Sequence, residues 1–232
     1  MRVEELASHY YLPFAAAFVR GTDPVPSAGK SGVGKSDAGK SDAQTSDAAA
    51  VLDALARGVS LKRFKRSGPL PRVAKVLGFL RGVAPSTLID LGPGRGAFLW
   101  PLLDAFPALT VHGIDALAHR VAMIEAVARG GVPRLSAEEG DICRVWGEEK
   151  SVEVVTALEV IEHLTAPERA IERALKVATR FVVASVPSKP DENPEHVNYF
   201  APGELEEKFL SAGASRVATD HVHNHRIVWA TP

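Results

Sequence analysis

Ser86-Thr-Leu-Ile-Asp90-Leu-Gly92-Pro93-Gly94-Arg-Gly96-Ala-Phe-Leu-Trp-Pro-Leu-Leu103 dictates the architecture of this chain. A short apolar, β-branched run closes on Asp90, and glycines then stand at alternate positions 92, 94 and 96. A second apolar run follows at helical spacing: Ala97, Phe98, Leu99, Leu102, Leu103. The order predicts a buried strand, a tight turn, and a helix from Ala97 to about Phe106. Glycine suits such a turn because it accepts backbone angles that other residues resist. Lacking a side chain, it also lets a ligand lie directly on the backbone. At the start of a helix, free N–H groups would add a donor-rich surface.

The spacing narrows the ligand. A dinucleotide fingerprint has two residues between its last glycines, whereas this stretch has one. About 20 residues on, the strand-like run Thr110 to Ile114 ends in Asp115, where a carboxylate can accept hydrogen bonds from both hydroxyls of a ribose. The series Asp90-x-Gly92-x-Gly94-x-Gly96 resembles motif I of the class I S-adenosylmethionine-dependent methyltransferases, and the likeness extends over roughly residues 71–230. It implies a Rossmann-like α/β fold: a seven-stranded, mostly parallel sheet with helices on both faces and an antiparallel last strand. It also implies S-adenosylmethionine as cofactor, held by Asp90, Gly92, Pro93, Gly94, Gly96, Asp115, Asp141 and Glu159. Asp141 matches the acidic residue that contacts the adenine amino group in related enzymes.

Composition sets the outer limits. With 232 residues, 46% of them hydrophobic, the chain can fill one α/β domain and an appendage. A net charge of -1 gives no global field to recruit nucleic acid or membrane. Cys143 is the only cysteine, which excludes a disulfide framework and an all-cysteine metal site. The opening Met-Arg-Val-Glu-Glu lacks the order of a signal peptide. The apolar run Tyr10 to Val19 is too short to span a bilayer. No membrane association and a cytoplasmic location are therefore expected.

Four segments follow from the pattern: 1–20 helical, 21–47 a low-complexity linker, 48–85 a helical, basic lead-in, and 86–232 the cofactor-binding domain. Leu6, Tyr10, Phe14 and Phe18 recur at helical spacing, with Pro13 expected to kink or split the run. Residues 22–47 carry a degenerate five-residue repeat of small and charged side chains, too polar to offset the entropy of ordering. Gly29 to Ser36 and Gly34 to Ser41 both fit the phosphate-loop pattern. Neither is preceded by a hydrophobic strand nor followed by a helical pattern, so nucleoside-triphosphate binding is rejected. Leu61 to Arg72 interleaves basic residues with Phe64, either a grip on phosphates and a stacked base or a solvated helix junction. From Ser86 strand and helix alternate. Further strands are expected near 133–136, 152–158, 180–186, 216–222 and 226–230, with helices near 116–129, 166–179 and 202–212.

Chemistry should gather beyond the carboxyl ends of the strands. Glu159-Val-Ile-Glu162-His163 follows the fourth predicted strand, and Glu195-His196-Val-Asn198 follows the fifth. Methyl transfer from a sulfonium needs alignment, desolvation and, for a hydroxyl acceptor, proton removal. Histidine titrates near neutrality, so His163 and His196 are the candidate bases, with Glu162 beside them. Glu159, Glu162 and His163 stand at i, i+3 and i+4, so one helical turn would present all three together. With His196 they form a candidate set for Mn²⁺ or a similar ion. That set resembles the small-RNA 3′-end 2′-O-methyltransferases, in which a metal clamps the terminal ribose hydroxyls. Around His196, however, the histidine-rich context of that family is absent. A Glu-His pair at this point also occurs in small-molecule methyltransferases without a structural metal. The favoured expectation is methyl transfer to an oxygen or nitrogen of a small molecule. Metal-assisted RNA methylation and a non-catalytic cofactor binder are the alternatives. His221, His223 and His225 alternate and could share a strand face, or could form a polar hairpin connection.

Overall fold

The computed structural model describes residues 3–22, 40–66, 68, 70–144, 146–190 and 192–232. Both phosphate-loop look-alikes begin outside the described residues, as does most of the repeat. The chain divides into two compact units, Met1–Gly68 with Ala122–Ser136, and Pro69–Val121 with Ala137–Pro232. This division differs from a boundary at 85/86, because the lead-in helix belongs with the sheet and a segment after the second strand belongs with the N-terminal helices.

In the first unit the apolar N-terminal run is split as expected, into α1 (Val3–His9) and α2 (Leu12–Thr22), with Pro13 in the first turn of α2. The helix α3 (Lys40–Ala56) begins inside the stretch read as linker. Leu6, Phe14, Val51, Ala54 and Phe64 are buried together with the alanines of α2. Two glycines set how closely the backbones approach. A Cβ on Gly21 would lie 1.8 Å from the Ala126 carbonyl oxygen, and one on Gly130 would lie 1.7 Å from that of Ala17. Phe64 and Arg66 of the basic segment are also absorbed here. Phe64 is fully buried, and Arg66 lies over the Tyr11 ring and donates to the carbonyls of Ala7 and Tyr10. The aromatic proposed to stack on a base is therefore not available for stacking.

The second unit is built on the sheet. Helix α4 (Pro71–Val83) opens on a proline, which costs nothing at a first turn, and leads into β1 (Thr87–Leu91). In chain order there follow α5 (Leu99–Ala105), β2 (Thr110–Asp115), α6 (Ala118–Arg129, which from Ala122 on belongs to the first unit), β3 (Leu135–Glu139) and β4 (Val152–Leu158). A single 3-10 turn at Ile161–His163 separates β4 from α7 (Pro167–Val177) and β5 (Ala178–Pro187), and α8 (Glu204–Ser211), β6 (Arg216–Val222) and β7 (His225–Thr231) complete the chain. The sheet order is β3-β2-β1-β4-β5-β7-β6. Strands β1, β2, β4 and β5 pair in parallel, and β7 is inserted antiparallel between β5 and β6, as expected.

Central strands read as unbroken apolar runs because both faces are covered. Val154, Val155, Val182, Val183 and Ala184 are all essentially buried. Helix α7 turns Ala170, Ile171, Ala174 and Leu175 onto one face of the sheet, each large apolar side chain contributing about 1.5–3 kcal/mol relative to exposure. On α4, Phe79 packs on Phe181 and Trp229 at 5.1 and 4.3 Å between ring centres. The strand order reverses between β1 and β4, which opens a crevice at their carboxyl ends.

Candidate active site

A cavity of about 620 Å³ fills that crevice. Asp90, Gly92, Pro93, Gly94, Asp115, Asp141, Glu159 and His163 all line it. Each glycine of the turn has positive φ, and each has a different neighbour. A Cβ on Gly92 would meet Val160 at 2.6 Å, and one on Gly96 would meet the Trp100 ring at 2.0 Å. Those two glycines serve packing as well as backbone angle. Around Gly94 the nearest atoms stand at 3.8 Å, so here bare backbone faces open space. Helix α5 starts at Leu99 rather than Ala97, so the glycines form a turn ahead of the helix. The Gly94 N–H is committed to Asp115 Oδ2 at 3.0 Å, and a donor-rich helix start is not what the turn supplies.

Asp115, only 3% exposed, is fixed from both sides: Leu117 N–H donates to Oδ1 at 3.0 Å, and Arg120 Nη1 stands 3.6 Å from Oδ2. Each carboxylate oxygen keeps a further lone pair for a ribose hydroxyl. Asp90 is buried too. It accepts a 2.7 Å hydrogen bond from Thr156 Oγ1 on one oxygen, while Oδ2 has no hydrogen-bond partner among the described residues. Burial pushes its carboxyl up to about 7, and the nearby Asp115 charge adds to the rise. A buried acceptor without a donor on a cavity wall is a place for a ligand's N–H or cationic group. Asp141 is exposed and caps its own loop through the Cys143 N–H at 2.9 Å.

The expected four-residue metal set separates. Glu159 has φ +58°, outside any helical turn, and its carboxylate is taken elsewhere. Ser185 Oγ donates to Oε1 at 2.7 Å, His225 Nδ1 lies 3.1 Å from Oε2, and Arg72 Nε lies 3.8 Å from Oε1. The other three residues converge, with ligand atoms of Glu162, His163 and His196 within 4.8 Å of one another. The His163 and His196 rings meet edge to face at 4.7 Å. The loop after β5 is clamped onto the 3-10 turn. Val197 and Asn198 N–H groups both donate to the Glu162 carbonyl at 3.0 Å, and Asn198 Nδ2 donates to the Leu164 carbonyl at 2.6 Å. His163 Nδ1 is 2.8 Å from the Glu195 carbonyl oxygen. A carbonyl only accepts, so Nδ1 carries a proton, and in the neutral ring the lone pair is on Nε2.

Residues 88–182 match the family model described as a methyltransferase domain. Over that stretch the chain is similar to methyltransferase domains. Solved structures share the fold. An O-methyltransferase family protein from Burkholderia thailandensis aligns with TM-score 0.58 at 19% identity, covering 81% of this chain and 60% of that one. Magnesium protoporphyrin IX methyltransferase from Synechocystis PCC 6803, with bound S-adenosylhomocysteine, gives 0.56 at 17% identity over 69% and 81%. An S-adenosylmethionine-dependent methyltransferase from Aquifex aeolicus gives 0.56 at 17% over 72% and 99%. No curated protein matches the chain in sequence.

Sequence reasoning gave Arg72, Ser185, Asn198 and His225 no part in this site. The three alternating histidines do not share a strand face: His221 lies on β6, His223 sits in the turn at φ +53°, and His225 opens β7. Arg72 Nη1 is 3.2 Å from His225 Nε2, and a guanidinium only donates. Nε2 of His225 therefore accepts, which leaves the proton of the neutral ring on Nδ1, 3.1 Å from Glu159 Oε2. Burial lowers its pKa and the Arg72 charge lowers it further, against the opposing pull of Glu159. Only the pairing of β5 with β7 brings His225 to this wall.

Proposed function

We propose that this protein methylates an oxygen, or less readily a nitrogen, of a small-molecule acceptor, with His163 as the general base. The observation that carries the reading is the fixed tautomer of His163 on the wall of the cavity, with Nδ1 spent on a backbone carbonyl. Asp90, Gly92, Pro93, Gly94, Gly96, Asp115, Asp141 and Glu159 are assigned to the cofactor. The orphaned Asp90 oxygen and the uncovered Gly94 backbone fit such a ligand. S-adenosylmethionine supplies an activated methyl group, so little is asked of the protein beyond alignment and a proton acceptor. His163 Nε2 takes the acceptor's proton as its oxygen forms the new bond. His196 packs against that ring, and Glu162 beneath the pair favours the imidazolium that results. A cytoplasmic location belongs to the same proposal, supported by the finding that no helix among the described residues is long and apolar enough to cross a membrane.

The convergence of Glu162, His163 and His196 favours one second reading. Those three side chains would hold a divalent ion such as Mn²⁺, which would polarise the hydroxyls of an RNA terminal ribose. Glu159 has no part in it. The test is methyl transfer to a panel of phenols, carboxylates and amines beside bulk RNA, with and without EDTA. Turnover of a small acceptor, indifferent to EDTA and lowered about 10²–10⁴-fold in His163→Ala, is expected. Chelator-sensitive turnover of RNA alone would replace the first reading by the second. Binding of cofactor without transfer to any acceptor would leave a non-catalytic binder.

A further inference from the structure

Between Asp53 and Asp90 the sequence holds eight arginines and lysines and no acid, in a chain whose net charge is -1. Most of these cations are accounted for. Arg57 pairs with Asp53 at 2.9 Å, Arg66 is spent on backbone carbonyls and the Tyr11 ring, and Arg72 and Lys75 stand 3.8 and 2.6 Å from Glu159 and Asp220. Arg81 belongs to α4 of the sheet unit. Lys62, Arg63 and Lys65 remain, close together in the helical unit. All three are exposed, and none makes an ion pair or a side-chain hydrogen bond among the described residues.

Their backbone is fixed although their side chains reach solvent. Lys62–Phe64 forms a 3-10 turn, closed by the Lys65 N–H on the Lys62 carbonyl. Phe64 is fully buried, its ring 5.3 Å from that of Phe18. The Phe64 carbonyl accepts from the Tyr11 N–H at 2.8 Å, and the Arg66 N–H donates to the His9 carbonyl at 2.8 Å. A 3-10 turn closes in about three residues, so Lys62 and Lys65 stand on one side of it. Like charges this close repel one another. A fixed turn that presents unneutralised cations orders little on binding and gains by meeting an extended anion.

We propose that Lys62, Arg63 and Lys65 bind the phosphate backbone of a nucleic acid without reading its sequence. Burial of Phe64 leaves no ring at this turn to stack on a base, so the contact is with phosphates alone. Anionic lipid is the poorer fit. It takes about four to eight clustered cations or an exposed apolar anchor, and the apolar residues of the turn, Leu61 and Phe64, are buried. This binding activity belongs to the helical unit and is independent of the methyl-transfer reading.

The test is fluorescence anisotropy of two labelled single-stranded RNA oligonucleotides of unrelated sequence, titrated with the full chain over a range of salt. Both should bind equally at low salt. The logarithm of the affinity should fall against that of the salt with a slope of about -2, three phosphates at about 0.7 each. K62Q/R63Q/K65Q should weaken binding at least about 10-fold and flatten the slope, with melting temperature and S-adenosylhomocysteine affinity unchanged. K62R/K65R keeps the charge and should bind as the wild type does. No binding by the wild type at low salt, or equal affinity and slope in the triple variant, would overturn the inference. A strong preference for one oligonucleotide would overturn it too, as would tighter binding to vesicles of phosphatidylserine and phosphatidylcholine than to RNA. A wild type that binds RNA but no S-adenosylhomocysteine would overturn the cofactor reading and leave this one standing.

Discussion

Asp90 shows how much one carboxyl can report. Burial holds its pKa near 7 against an ordinary 3.8, so in the folded state it releases its proton late. A raised folded pKa contributes stability that is complete below the unfolded value and is lost as pH rises through the folded one. Ligand-free protein is therefore expected to melt lower at pH 8 than at pH 5 on account of this residue. Asp90→Asn should flatten that slope and gain about 1–3 kcal/mol at pH 8, read from melting curves of the two proteins. A cation placed on Oδ2 would pull the group toward ionisation. Titration with S-adenosylhomocysteine at pH 6.5, in two buffers of different protonation enthalpy, should then show proton release. Identical heats in the two buffers would remove the cation from Asp90. Gly94→Asp tests the neighbouring backbone. Its Cβ meets only loose contacts, at 3.8 Å, so the fold survives with about 1–3 kcal/mol of backbone strain. The new carboxylate occupies the cavity, and S-adenosylhomocysteine affinity should fall at least 100-fold, roughly the value of two lost charged hydrogen bonds.

Among the elements, legibility followed the range of the interaction. The β1 turn could be read because positive φ and close approach demand glycine wherever the chain lies. Strand β7 was placed correctly, but its consequence was not, since His225 meets Glu159 only through a pairing across the sheet. Helical spacing misled at Glu159, because a left-handed residue broke the turn before Glu162. The pattern of Phe64 among basic residues suited either a nucleic-acid face or a junction, and burial took Phe64 out of any stacking role. Two predictions belong at this scale. Asn198→Ala frees the loop after β5 from the Leu164 carbonyl and should lower kcat several-fold with cofactor affinity intact, the loop carrying His196 being less firmly held. Gly130→Ala drives a methyl into the Ala17 carbonyl and should cost the helical unit about 1–3 kcal/mol. Hydrogen exchange should accelerate in 3–22, and an unchanged pattern there would mean that the backbones part without cost.

For the molecule as a whole, chemistry is concentrated in the sheet unit. Every residue of the candidate site lies in 69–121 or 137–232, so the glycine turn, Asp115, Glu159 and the histidine pair share one compact body. The helical unit contributes its own core and closely packed glycines, and Phe64 and Arg66 of its basic segment are spent on internal contacts. The carboxyl ends of β1, β2 and β4 were predictable as the ligand edge from the alternation of strand and helix. Which side chains of α4 and β7 complete that edge depended on tertiary placement. Occupancy of the edge by the methyl donor is the claim on which every assignment depends. It is most directly measured by titrating the wild-type chain and Asp115→Ala with S-adenosylhomocysteine. One molecule per chain should bind to the wild type, with affinity at least 10-fold weaker in the variant. No heat of binding to the wild type, or equal affinity for both, would contradict it.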